Sequence, residues 1–179
     1  ANYYVERAGA AEDVTWDAGI ESGRARVEGT EGPLTVSTTS GDIAIARVTG
    51  DIRLSATSGE VSVVDLTGSM WLDVTSGDVA CERISGFADI EFVSANVRLA
   101  GVGSAVGVSG TSGDVDLSAC AGPIGVMLAS GNVTLEGGQN GVRVETSSGD
   151  VVASVPSVGG SGIEIQTSSG VVRCRASAT

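Results

Sequence analysis

Carboxylate side chains recur through this 179-residue sequence at a spacing that could collect a cation. They belong to a repeated motif of the type Thr-Ser-Gly-Asp-Val, and we number the positions of each repeat from its serine. Position +2 is filled in order by Arg24, Asp42, Glu60, Asp78, Asn96, Asp114, Asn132, Asp150 and Val171. Stacked oxygen ligands of this kind can hold Ca²⁺. Like charges one strand spacing apart repel by only about 0.9 kcal/mol in water, so solvated turn residues account for the pattern, and we predict no metal site and no cofactor.

Catalytic chemistry has few candidate residues. The sequence contains no His, which removes the commonest general base and metal ligand, and it contains no Lys. Every serine close to an aspartate belongs to the repeat, so none stands out as a nucleophile. Some right-handed β-helices act on polysaccharides, but no acidic cluster here departs from the period. We predict a non-enzymatic protein with no catalytic residues, and a polysaccharide-acting enzyme is the least favoured alternative.

An aromatic pair departs from the repeat and is the candidate surface contact patch. Trp71 lies at position −5 and Phe87 at position −7 of the next repeat, so both are predicted to point outward on adjacent coils, along a diagonal that large side chains can span. Arg53 lies one repeat before Trp71, where a cation–π contact with the indole is expected. The patch predicts a contact site for a cell-surface glycan or protein. Packing of the three side chains on one another is the alternative.

A repeat that covers most of the chain must position these side chains. The motif serines stand at 22, 40, 58, 76, 94, 112, 130 and 148, always 18 residues apart, and the ninth, Ser169, follows after 21. Positions −6, −4, +3 and +5 are apolar in nearly every copy. Apolar residues two apart indicate strands with one inward face, and a fixed period indicates stacked units sharing a core. We predict an all-β, single-domain parallel β-solenoid (β-helix) of about nine 18-residue coils, and the general crossover rule favours a right-handed one.

The corners between strands are assigned to particular residue types. The motif glycine allows a positive φ at a sharp bend. The serine is expected to face the interior and to bond backbone groups freed at the corner, and the aspartate to cap exposed amides. Ala95 replaces the glycine in one copy, so that bend either needs no positive φ or is altered locally. At a second corner, apolar residues such as Val48, Leu66 and Ile84 are expected to add a further inward contact.

The ends and one corner depart from the period. Residues 1–14 fit the repeat poorly and are predicted to be an N-terminal cap or lead-in, with a piece of a preceding coil or domain as the alternative. Residues 15–179 are predicted to form the solenoid domain. The three extra residues fall near 155–162, which we interpret as an irregular corner insertion at the surface.

Composition excludes several partner classes. The net charge of −12 disfavours nucleic acid, whose phosphates need a basic surface, and also anionic lipid. No stretch is long and apolar enough to span a membrane, so no membrane insertion by this segment is predicted. The chain begins at Ala1 without Met, and we expect its targeting segment to be missing. Cys81, Cys120 and Cys174 are odd in number and widely spaced, so we interpret them as small buried hydrophobes.

The tandem Thr-Ser-Gly-Asp-Val/Ile units, each followed by a short strand and a glycine corner, resemble the adhesin-type β-strand-repeat domains of bacterial cell-envelope proteins over roughly residues 15–179. The resemblance implies an extracytoplasmic β-solenoid with adhesion or envelope-stress roles, and it supplies no catalytic residues. We therefore expect a rigid, surface-exposed spacer or binding module. Bactofilins, cytoskeletal polymers with a β-helical core, are the second resemblance. They suggest the alternative of a structural polymer that self-associates end to end through an uncapped edge.

Overall fold

Strands make up the regular secondary structure of the residues that the computed structural model describes, which are 3–6, 16–155 and 162–176. The strands are β1 (Tyr3–Glu6), β2 (Trp16–Glu28), β3 (Leu34–Thr49), β4 (Ile52–Thr67), β5 (Met70–Ile84), β6 (Ala88–Val102), β7 (Val106–Ser112), β8 (Val115–Cys120), β9 (Ile124–Ser130), β10 (Val133–Gly137), β11 (Val142–Ser148), β12 (Val151–Val155), β13 (Ile163–Ser169) and β14 (Val172–Ala176).

Each coil pairs in parallel with the next, and the partners are 18 residues apart through most of the stack. From β2 to β6 one long bent strand forms both sides of a coil, whereas from β7 onward each coil is divided into two strands. One ladder then continues through β7, β9, β11 and β13, and a second through β8, β10, β12 and β14. The result is a β-solenoid, which confirms the predicted all-β parallel fold. Its predicted handedness stays a prediction.

The core is a continuous column of aliphatic side chains inside the stack. Residues at the predicted inward positions are buried in most coils: Ile52 at −6 and Val61 at +3 have no exposed surface. The second corner adds Val48, Leu66 and Ile84, which are at most 2% exposed, as predicted. Apolar surface removed from water is the main favourable term in folding, and here every coil both contributes to the core and covers its neighbour.

The first strand of each coil has a third inward position that the sequence pattern did not reveal. Residues at position −2 are buried in most coils: they are Ile20, Thr38, Ala56, Val74, Phe92, Leu128 and Thr146. Because this column mixes hydroxyl, methyl and aromatic side chains, it carries no consistent hydrophobic signal. Strict alternation from −6 and −4 would have placed −2 inward, since side chains two apart on a strand share a face.

A large residue and a missing side chain compensate each other in this column. Phe92 is 5% exposed, and the equivalent position one coil later is Gly110. A Cβ at Gly110 would lie 2.2 Å from Cζ of Phe92. The phenyl ring therefore occupies the volume that a side chain at 110 would need, so the two coils pack only as a matched pair.

The motif corner is built on a column of glycines with positive φ. Gly59, Gly77, Gly113 and Gly131 have φ between 132° and 139°, a region that L side chains rarely adopt. A Cβ at Gly131 would lie 1.8 Å from the carbonyl oxygen of Gly113 in the preceding coil. The predicted role of the glycine is thus confirmed, with close stacking as a second reason for it.

Ala95 shows how one corner does without glycine. It pairs with Gly77 but has no positive φ, and its side chain is only 5% exposed. The bend at Ala95 therefore differs locally from the glycine bends at Gly77 and Gly113, which is one of the two alternatives predicted for Ala95.

The motif serine does not face the interior, so that prediction is wrong. Ser40 and Ser94 are exposed, and Ser58 and Ser76 are half-buried. The hydroxyls of Ser58 and Ser76 donate to the carbonyl oxygens of Thr39 and Thr57, one coil back, at 3.2 and 3.1 Å. The bend at position −1 shifts the alternation, because the ladder passes from the −2 pair directly to the serine pair, as in Ala56↔Val74 and Ser58↔Ser76.

At the second corner the chain turns through a residue in the left-handed region. Arg47, Asp65, Arg83 and Ala119 have φ between 52° and 57° at equivalent positions of four coils. A non-glycine residue held there is uncommon and costs on the order of 1 kcal/mol. The buried apolar residue that follows each of them, such as Val48, fixes the corner against the core.

Two predicted regions lie largely outside the described residues. Of residues 1–14 only Tyr3–Glu6 is described, and this strand pairs in parallel with residues 25–28 of β2. Of the predicted irregular corner near 155–162, residues 156–161 fall outside the description. Both domain assignments stay predictions.

The cysteines divide into two environments. Cys81 and Cys120 are buried, as predicted, and burial raises the pKa of the Cys81 thiol to about 12 and also raises that of Cys120. Cys174 is exposed, so the interpretation of all three as buried is wrong for this residue. It lies on β14, which has no described strand beyond it.

Candidate binding face

The outward face of the first strand carries the predicted contact patch. The ring centroids of Trp71 and Phe87 are 4.7 Å apart at an angle of 89°, an edge-to-face contact. Cζ of Arg53 lies 4.7 Å from the centroid of the Trp71 ring. Edge-to-face pairs and exposed cation–π contacts each contribute about 0.5–1 kcal/mol. The structure thus brings the three side chains together, and their mutual packing accounts for the contacts without a ligand. Their role in binding stays a prediction.

A small pocket lies beside this patch. It has a volume of about 320 Å³, and Arg53 and Trp71 are among the residues that line it. Asp73, Asp89 and Glu91 also line it. The patch is therefore bordered by carboxylates of the Trp71 coil and of the next coil.

A longer depression continues from Asp73 toward the C-terminal coils; we call it the axial groove. Its volume is about 750 Å³. One wall is formed at position −3 by Asp73, Glu91, Ser109, Met127, Glu145 and Gln166. The opposite wall is formed at position −1 by Val93, Thr111, Ala129, Ser147 and Ser168. The groove crosses six coils, or five strand spacings, so it is about 24 Å long.

The groove follows from the bend at position −1. Between β6 and β7 the pairing passes from Phe92↔Gly110 directly to Ser94↔Ser112, so the strand is bent between these pairs. Small side chains such as Thr111 and Ala129 on the −1 wall leave the bend open. The sequence reasoning missed this groove. Threonine fills position −1 in four repeats, as Thr39, Thr57, Thr75 and Thr111, and Val93 and Ala129 interrupt this column. The interruption, together with Met127 on the outward face, is the signal that could have predicted the groove.

The charges of the groove are concentrated at its two ends. Asp73 and Glu91 form no ion pair or side-chain hydrogen bond with any residue that the structure describes. At the other end, Arg143 donates to Glu145 at 2.5 Å and lies 3.6 Å from Glu164. The hydrogen bond that Arg143 donates to Glu145 raises the pKa of Arg143. Among the described residues that line the groove, those at the Asp73 end therefore present carboxylates without a cationic partner.

The acidic column at position +2 has a structural role. Asp114 Oδ1 accepts from the backbone N–H of Asn132 at 2.9 Å, and Asn132 Oδ1 accepts from that of Asp150 at 3.0 Å. Asp150 in turn accepts from Val171 N–H at 2.8 Å. Each side chain thus caps an amide that the corner leaves free, and such bonds contribute about 1 kcal/mol each. Within the described ranges, no group of three or more His, Cys, Asp or Glu is placed to hold a metal ion.

Two arginines hold neighbouring carboxylates in the ionised form. The hydrogen bond from Arg24, followed by that from the backbone N–H of Glu60, lowers the pKa of Asp42 below its ordinary value. Arg83 lowers the pKa of Asp65 in the same way, at 2.5 Å from Oδ1. These pairs lie at corners, bridge adjacent coils and are solvent-exposed, so each contributes little on its own.

The described part of the chain contains no helix that could cross a lipid bilayer.

Parallel coils stacked on an 18-residue period, with glycine columns at one corner and left-handed residues at the other, define this protein as a β-solenoid repeat domain. The family model described as Toastrack DUF4097 matches residues 34–178, and the chain belongs to that family. Neither the search of curated proteins nor that of solved structures found a significant match.

Proposed function

We propose that this protein is a non-enzymatic structural or adhesin-like module of the cell envelope, in which a rigid β-solenoid displays a binding face outside the cytoplasm. The observation that carries the proposal is that the inward and outward positions of a coil differ in how regularly they repeat. Inward positions and corners repeat from coil to coil, whereas the outward face differs at Arg53, Trp71 and Asp73 and along the axial groove. Such a face holds its side chains at fixed separations, because each is attached to a hydrogen-bonded ladder.

Rigidity supports the role as a spacer. Parallel pairing joins each coil to its neighbours on two sides, and a buried aliphatic column runs through the stack from Ile20 to Val155. Eight steps of pairing between β2 and β13 span about 38 Å at the strand spacing. A ligand bound to one outward face would therefore be held at a constant distance from the ends of the solenoid.

The proposed location in the cell envelope can be tested directly. We expect the full-length protein, carrying an epitope tag, to fractionate with the envelope and to be cleaved by protease added to intact cells. A cytosolic enzyme serves as the control for lysis. Recovery of the tagged protein in the cytosolic fraction, protected from protease, would refute the proposed location.

The binding role is tested with the purified domain. Fluorescently labelled domain is expected to bind intact cells, and the double variant Trp71→Ala/Phe87→Ala to bind them several-fold more weakly. Val152→Ser is the matched control, since Val152 is exposed at 42% on the other ladder, away from the patch. Equal binding by both variants would refute a role for the aromatic patch.

The alternative of a self-assembling, bactofilin-like structural polymer draws on one observation. In the last described coil the inward residues are no longer covered: Ile163 and Ile165 are half-buried, and Val172 and Cys174 are exposed. An uncovered strand edge can pair with another strand. Sedimentation over a hundredfold range of concentration tests this alternative, and a monomer at every concentration would exclude assembly by these residues.

A further inference from the structure

The axial groove contains two exposed large apolar side chains. Among the described residues the exposed large hydrophobics are Val93, Met127, Val152, Val171 and Val172. Two of these, Val93 at 53% and Met127 at 57%, line the groove, as does the exposed Ala129 in the same coil as Met127. An apolar ligand group placed over these side chains would remove their surface from water, which is favourable.

One end of the groove is acidic. Asp73 on β5 and Glu91 on β6 are register partners in adjacent coils. Their backbones are therefore about one strand spacing, or 4.8 Å, apart. Neither has a cationic partner among the residues that the structure describes, and the net charge of the chain is −12. A ligand that places a cation at this end gains Coulomb attraction to both carboxylates.

The dimensions of the groove fit an extended peptide. At about 3.1 Å per residue, a length of about 24 Å accommodates roughly seven residues of an extended chain in the polyproline II conformation. Glu91 and Met127 are two coils apart, or about 10 Å, which equals about three residues, or one turn, of that conformation, so side chains three positions apart point to the same face. A basic residue over Glu91 therefore places the third residue after it over Met127.

We propose that the axial groove binds an extended peptide segment of a partner protein, with Arg or Lys over Asp73 and Glu91 and an apolar residue three positions away over Met127. This inference rests on the binding-module part of the proposed function and names the surface and the chemistry of the partner. An Arg side chain can engage both carboxylates through its planar array of donors.

The same observations argue against a glycan in this groove. Sugars are bound on open aromatic faces, whereas Phe92, the aromatic residue among those lining the groove, is 5% exposed and has its ring beneath Gly110. Trp71 is not among the residues lining the groove, and the Arg53 guanidinium lies over its ring.

The test uses the purified 179-residue chain and fluorescein-labelled heptapeptides in anisotropy titrations. The probe has the order Ser-Arg-Ser-Thr-Leu-Ser-Thr, and two control peptides replace its Arg by Glu or its Leu by Ser. We expect the probe to bind, and the Glu-containing control to show no binding. Affinity should fall by at least about fivefold between 20 and 500 mM salt, because the charges are solvent-exposed.

Matched variants locate the site. Asp73→Asn/Glu91→Gln should weaken probe binding about fivefold, whereas Glu60→Gln/Glu136→Gln, which removes the same charge outside the groove, should change it less than twofold. Met127→Ser should weaken binding about threefold and Val152→Ser should not. Circular dichroism and thermal unfolding confirm that each variant is folded.

Three results would overturn the inference: no binding of the probe, equal effects of the groove and control variants, or competition at the groove by neutral oligosaccharides that exceeds that of the peptide. Because the titration uses purified protein, it is independent of where the protein resides. A cytosolic location would refute the proposed envelope function and leave the peptide-binding result unaffected. Conversely, failure of the peptide to bind would refute this inference and leave the envelope location unaffected.

Discussion

Substitution of a single column glycine should destabilise the solenoid far more than substitution of a glycine six residues away. In Gly131→Ala the new Cβ would lie 1.8 Å from the carbonyl oxygen of Gly113, and φ at this residue is 139°. The φ strain costs about 1–3 kcal/mol, and separating the two corners costs a similar amount. We expect a total loss of about 3 kcal/mol in the free energy of unfolding.

Gly125→Ala is the matched control in the same coil. The nearest atom to its new Cβ is the carbonyl oxygen of Val106 at 3.9 Å, which is an ordinary contact, and φ is not in the left-handed region. This substitution also reduces the freedom of the unfolded chain, so it should change stability by less than about 1 kcal/mol.

Urea and thermal denaturation followed by circular dichroism measure the difference. At about 2–4 °C per kcal/mol for a chain of this size, Gly131→Ala should lower Tm by roughly 6–12 °C. Repeat proteins can lose cooperativity, so the urea m-value must be compared as well. If Gly131→Ala is no more destabilising than Gly125→Ala, close stacking of the glycine column does not constrain the fold.

Three further predictions concern packing, acid stability and thiol reactivity. Phe92→Ala should cost about 3–5 kcal/mol in urea denaturation, and Gly110→Ala should cost less in that background than in the wild type, because the ring that opposes its Cβ is gone; additive losses would contradict the pairing. The pKa of Asp42 is lowered in the folded state, so its stabilising contribution is present above the unfolded pKa of about 3.8 and is lost as the pH falls through the lower folded value; Tm measured from pH 6 to pH 2.5 should therefore drop less steeply in Asp42→Asn, and an unchanged slope would refute the linkage. A thiol-reactive disulfide reagent at pH 8 should label Cys174 rapidly and Cys81 only after unfolding, because Cys81 is buried and its pKa is raised to about 12; rapid labelling of Cys81 would show that the core opens.

Much of the coil could be predicted from the sequence because its determinants are local and repeated. Apolar residues at −6, −4, +3 and +5 recur nine times, so a small side chain such as that of Ala88 does not obscure the alternation. The glycine column was predicted from its bend, since only glycine readily adopts positive φ. The second reason for glycine is the close contact between Gly131 and the backbone of Gly113, which leaves no room for a side chain. This contact becomes visible only once the coils are stacked.

The features that could not be predicted depend on neighbouring coils. Phe92 is buried because Gly110 leaves room for it, and that is a property of two repeats and not of one. The serine orientation was missed because the bend at −1 shifts the alternation by one residue. The axial groove was missed for the same reason, since Asp73 and Met127 become neighbours of one depression only when the strands are bent and stacked.

The fixed 18-residue register sets a discrete scale for the solenoid, whose length can change only in steps of one coil. Gly131 lies on Gly113 and beneath Gly149, so removing 18 residues here would leave the glycine column continuous and shorten the solenoid by about 4.8 Å. Removing 17 residues would place a side chain against a carbonyl oxygen. The extra residues between β12 and β13 do not disturb the scale, because Val171 N–H still bonds Asp150, 21 residues earlier. Length in this protein can thus vary by whole coils, whereas irregular length is confined to the turns between them.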